Sequence, residues 1–135
     1  MSDRWYLAAL LPCRYLGSVR LARLCAAVSS AAQIWQMSAG ELYQTGALPL
    51  RAAEELSRHM RAHPHMPEQI QEDCQRFGIA LLTRMDDLYP TLLREIFDPP
   101  MVLYYRGTIV PHARRIGIVG AALYRLSEQC GRRRR

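Results

Sequence analysis

The spacing of apolar residues changes along this chain, and the change falls at "HPHMPE", residues 63–68. Before it, apolar positions recur every three or four residues, the period of a helix face. Beyond it, short unbroken apolar runs alternate with helical stretches. A chain with both periods is confined to mixed α and β architectures. The reading is therefore a helical body first, then the beginning of an α/β layer.

Five helical pieces precede the change. "DRWYLAALL" ends at Pro12. "GSVRLARLCAAV" sets Val19, Ala22, Leu24, Cys25 and Val28 at helical spacing, with Ser18 as its expected N-cap. "SSAAQIWQM" follows, then "SAGELYQTG", where Ser38 and Glu41 have the spacing of a capping box and Gly46 fits a stop. "LPLRAAEELSRHMRA" lies between Pro49 and Pro64. After the linker, "EQIQEDCQRFG" reads as a helix stopped by Gly78, and "IALLT" as a strand. "DLYPTLLREIFDPP" predicts a short helical turn, and Pro99-Pro100 force extended chain. "MVLYYRG" and "RRIGIVG" complete the strand-like runs.

Charge narrows the partners. The formal balance is +6 and every one of the 18 basic residues is arginine, which points to an anionic partner and above all to nucleic acid. Four of these arginines form the terminal "RRRR"; without them the balance falls to about +2, so the argument leans on that tail. Cys13, Cys25, Cys74 and Cys130 are scattered with no C-x-x-C, as in reduced intracellular thiols. His59, His63 and His65 are split by Pro64 and have no carboxylate or cysteine at a paired spacing, so they read as a loop, with no metal. No apolar run approaches the roughly 20 residues of a membrane span. The N-terminus lacks a signal peptide's basic start and cleavage site, so a cytoplasmic location is expected. No Ser/His/Asp or Cys/His arrangement can be placed, and neither an enzyme nor a cofactor is expected.

Two turns could meet phosphate. "LPCRYLGSVRLARL" joins two helices. A hairpin turn of the P-G-x-G type would present backbone amides and a positive helix end there. Cys13 stands where the first glycine would be, so an ordinary αα-corner is the favoured reading. The second turn is "IGIVG", a strand meeting Gly120. A nucleotide-binding Rossmann protein would need further glycines after Gly120 and an acidic residue about twenty positions on; both are missing.

The segment "GIALLTRMDDLYPTLLREIFDPPMVLYYRG", followed by "IGIVG", resembles the DNA-processing protein family DprA, also called Smf. The matching positions are Tyr89, Pro90, Leu93, Ile96, Asp98, Pro99, Pro100, Leu103, Tyr104, Arg106, Gly107, Ile118, Val119 and Gly120. The helical half is similar to the family's small SAM-like, helix-hairpin-helix domain. The resemblance implies an α+β chain: a SAM-like domain over residues 1–64, then a linker and the incomplete start of a Rossmann-like domain over 65–135. That domain's strands, around 79–82, 102–106 and 115–119, would join a parallel sheet. With the sheet incomplete, "MVLYY" and "IGIV" would be uncovered and the C-terminal half loose and prone to association. The family binds single-stranded DNA and helps load a RecA-type recombinase in natural transformation, with homodimers among full-length relatives. No covalent chemistry is implied.

The chain departs from the family after Gly120. The family continues S-R-x-x-S-x-Y/F-G, its arginine belonging to the DNA-binding pocket, whereas Ala121 and Ala122 follow here. Codons for residues 120–128, read from the third base of the Gly120 codon, permit the missing S-R-x-x-S-x-F-G in order. The same shift lets the terminal arginines spell alanine. The expectation is an out-of-frame end after Gly120 and a chain that stops within its second domain; the alternative is a native basic tail.

Three functions follow as expectations. The first is a DprA-like single-stranded DNA binder using Gly120, Arg106, Arg114 and Arg115 near the second turn, and Gly17, Arg20 and Arg23 near the hairpin. The second is a nucleotide-binding Rossmann protein. The third is a helical module that acts alone on proteins or duplex DNA.

Overall fold

The computed structural model describes residues 2–109. In chain order they form α1 (Asp3–Leu10), α2 (Gly17–Val28), α3 (Ala31–Ile34), α4 (Ala39–Gln44), α5 (Leu50–Ala62), α6 (Met66–Arg76), β1 (Ala80–Thr83), α7 (Thr91–Arg94) and β2 (Val102–Tyr105). The expected run "RRIGIVG", with Arg114, Arg115 and Gly120, lies outside the described residues.

Local chemistry accounts for most boundaries. At α4 the Ser38 hydroxyl accepts the Glu41 amide at 3.2 Å, and the Glu41 carboxylate accepts the Ser38 amide at 2.9 Å. The capping box read from the spacing is thus present. α6 ends in a Schellman turn. The Ile79 amide reaches the Cys74 carbonyl at 2.8 Å and the Gly78 amide reaches Gln75 at 3.4 Å, with Gly78 at φ +66°. That turn directs the chain straight into β1.

α2 begins two residues earlier than Ser18 capping would require. Leu16 is the N-cap, Ser18 lies within the first turn, and its hydroxyl donates to Asp98 at 2.6 Å. A carboxylate is a stronger acceptor for that hydroxyl than any role it could play toward its own helix. α3 is begun jointly. Ser30 occupies its N-cap, and Asp3, from the start of α1, accepts from Ser30 Oγ at 3.0 Å, the Ala31 amide at 3.0 Å and the Ala32 amide at 2.8 Å. Asp3 thereby pins α1 to the α2–α3 corner.

One apolar cluster unites the elements. Leu7 and Leu10 of α1, Leu21 and Leu24 of α2, Ile34, Leu42 and Leu56 are buried together. Each leucine or isoleucine contributes about 1.5–3 kcal/mol by leaving water. Leu81, Met101 and Val102, around the strand pair, belong to the same cluster.

The strands pair antiparallel, Ala80 opposite Tyr105 and Thr83 opposite Val102, which corrects the parallel arrangement expected for them. A parallel return needs a crossover long enough to carry the chain back along the sheet. The connection over residues 84–101 has no crossover helix, only the single turn α7 and two proline-directed bends, and the chain returns antiparallel. The uncovered state expected for "MVLYY" is corrected as well. Met101 and Val102 are buried in the core, while Tyr104 remains half exposed.

Candidate nucleic-acid interface

The residues that resemble the DNA-processing family do structural work between the strands. Tyr89 is buried and its hydroxyl donates to the Pro100 carbonyl at 2.8 Å, tying Y-P to D-P-P. Burial pushes the phenol's pKa up, against the opposing pull of Arg84 and Arg94. Arg94 lies 5.3 Å from the ring centroid and donates to the Asp86 carbonyl at 2.8 Å. Asp86 in turn accepts the Thr83 amide at 2.7 Å and Arg4 Nη2 at 3.2 Å, while Arg4 Nη1 donates to the Leu81 carbonyl at 2.6 Å. α1 is thereby fastened to the end of β1.

Arg84 completes the junction. Its Nη2 donates to the Pro99 carbonyl and lies 4.0 Å from the Asp98 carboxylate. Asp98 holds Ser18, so the D-P-P segment meets the first turn of α2 directly. The hairpin turn and the family motif, 80 residues apart along the chain, are neighbours in space.

The hairpin turn itself is built around Tyr15. Tyr15 and Gly17 both adopt left-handed backbone, at φ +68° and +66°. Cys13, in the position of the absent glycine, is buried, and its thiol faces the Arg14 carbonyl at 3.2 Å. Burial first, and the nearby Glu55 carboxylate second, push that thiol up to about 11. The Tyr15 ring stays outside, with Arg51 4.7 Å and Arg14 5.8 Å from its centroid. Arg51 Nη2 also donates to the phenol at 2.9 Å, and Arg20 Nη1 donates to the Tyr15 carbonyl at 2.5 Å. Beside the ring is a shallow cleft of about 490 Å³ lined by Tyr15, Leu16, Gly17, Ser18, Val19 and Arg20.

Of the sequence candidates, Gly17 and Arg20 sit together in this cleft, and Arg23 is exposed less than one turn beyond Arg20 on α2. Arg106 is exposed but follows β2 at the Ala80 end of the strand pair, whereas Arg84 and Asp98 lie beyond the Thr83 end. The structure therefore does not bring Arg106 to the hairpin. Gly120, Arg114 and Arg115 are outside the described residues. Arg14, Tyr15 and Arg51 were missed in the sequence. "CRY" offered a local basic and aromatic pair, but Arg51 comes from α5, 36 residues away.

His59 is part-buried, while His63 and His65 are exposed. His59 Nε2 donates to the Ala9 carbonyl at 2.8 Å, and His63 Nδ1 to the His59 carbonyl at 3.1 Å. Among the described residues, no helix is long and apolar enough to cross a membrane.

Helices packed on an antiparallel strand pair, joined by an ordered Y-P and D-P-P connection, define the described part as an α+β assembly. Residues 80–130 match the sequence model of a family described as DNA recombination-mediator protein A. Over that segment the chain is similar to the DprA family, in line with its motif residues, and the match continues past Gly120. No curated protein and no solved structure matches the chain significantly.

Proposed function

We propose that this chain is a non-enzymatic, cytoplasmic single-stranded-DNA-binding protein that works with a RecA-type recombinase during DNA uptake and recombination. The observation that carries this reading is the recombination-mediator match over residues 80–130. The D-P-P part of that segment is anchored at Asp98 to the basic hairpin turn. Two sets of residues serve the DNA: Arg106, Arg114, Arg115 and Gly120 in the family-like segment, and Gly17, Arg20 and Arg23 at the hairpin.

Arginine guanidinium groups hold phosphates through paired donors without reading bases, so binding is insensitive to sequence. The single strand is favoured over duplex because its bases are free to stack on protein groups. No covalent step is required of any residue. Fluorescence anisotropy with labelled oligo-dT, a mixed-sequence single strand and the corresponding duplex tests the reading. Similar affinity for the two single strands and weaker duplex binding is the expected result. Binding to duplex alone would favour the helical-module reading, and binding to none of the three at low salt would overturn the proposal.

A further inference from the structure

The Tyr15 ring is placed unlike an ordinary surface tyrosine. Its backbone is in the left-handed region, which for a bulky residue costs on the order of 1–3 kcal/mol and persists only when its surroundings impose it. Two guanidinium groups flank the ring and a third grips its carbonyl. The side chain nevertheless remains 42% exposed, at the lip of the cleft along the start of α2. A tyrosine needed only for packing would turn inward, and Leu16 beside it does so.

Among the described residues, Arg14, Arg20, Arg23 and Arg51 form no ion pair. Arg20 uses one of its five donors on the Tyr15 carbonyl, and Arg51 one on the phenol. Their remaining donors stay available to an external anion. Asp98, whose carboxylate accepts from Ser18 of the cleft, also lies near Arg84, which lessens its repulsion of that anion.

A fixed, exposed aromatic ring surrounded by underused guanidinium groups suits a ligand that alternates flat π-faces with phosphates. We propose that Tyr15 is a stacking platform for an unpaired base of a single strand, with Arg14, Arg20 and Arg23 holding the flanking phosphates and Arg51 locking the ring. This rests on the DNA-binding reading and adds to it a base-contacting site in the helical half. Duplex DNA has no free base to offer the ring, so the site discriminates between strand states.

The test uses the full chain and two labelled 15-nucleotide probes, oligo-dT and an abasic strand of equal length, in parallel anisotropy titrations. Tyr15→Asn removes the ring while keeping a residue that tolerates the left-handed backbone. The expected result is that wild type prefers oligo-dT and that Tyr15→Asn weakens oligo-dT binding roughly tenfold, with abasic binding unchanged. Arg51→Gln, which frees the ring without altering it, is expected to weaken oligo-dT more than the abasic strand. If Tyr15→Asn binds both probes as wild type does, or weakens both equally, the stacking platform is wrong while DNA binding itself stands. If wild type binds neither probe, the DNA-binding reading fails and this site fails with it.

Discussion

Tyr89 and Asp3 show how a single polar atom can join distant parts of this chain. Tyr89→Phe keeps the buried ring but leaves the Pro100 carbonyl without its donor. A loss of about 1–2 kcal/mol in urea unfolding is expected, with Tyr89→Ala costing more because it also opens a cavity. Asp3→Ala removes the acceptor for the Ala31 and Ala32 amides and for Ser30, and should cost about 1–2 kcal/mol by the same measurement. Neither partner set was legible in the sequence. A carboxylate near the N-terminus reads as a first-turn acid of its own helix, and its service to a helix beginning at residue 31 appears only when the two helices pack. The arginine cage of Tyr15 was hidden for the same reason. The family-like tyrosine and prolines, by contrast, were recognisable, although sequence alone said nothing of the Tyr89–Pro100 bond that holds them in place.

At the level of elements, local signals went far. Helical spacing and stop residues located the helices from α1 to α6, and Ser38 with Glu41 announced a capping box that is present. Gly78 was legible as a stop, and its left-handed backbone explains why glycine serves there. Nothing lies within 4 Å of a Cβ placed on Gly78, so Gly78→Ala should cost only the backbone strain, about 1 kcal/mol, in thermal or urea unfolding. A loss well above that would show that the turn does more than reverse the chain. What local signals could not settle was the direction of strand pairing. The apolar runs at 80–83 and 102–105 are equally compatible with either orientation; the structure pairs them antiparallel, across a connection that holds no crossover helix. The start of α2 was misread because Ser18 answers to Asp98, a partner 80 residues away.

On the scale of the whole molecule, the shared core makes stability depend on two thiols, one in the hairpin turn and one on α2. Burial first, then Asp3, pushes Cys25 up to about 11, as burial and Glu55 do for Cys13. An unfolded thiol ionises nearer pH 8.5. Between about pH 9 and 11 the unfolded chain therefore releases protons that the folded chain keeps. Stability is fully present below that window and falls as pH rises through it; urea midpoints from pH 7 to 11 should show the decline, with a shallower one in Cys25→Ser. Arg20 and Arg23 lie at the hairpin and Arg106 at the Ala80 end of the strand pair, so a bound strand would follow charge along the surface rather than enter one closed pocket. The most direct test of that account is the affinity for oligo-dT measured across salt concentrations. The account predicts a straight fall of log K against log salt, with a slope of about −0.7 for each phosphate held, made shallower by Arg20→Gln with Arg23→Gln. A flat line, or a slope indifferent to those arginines, would contradict it.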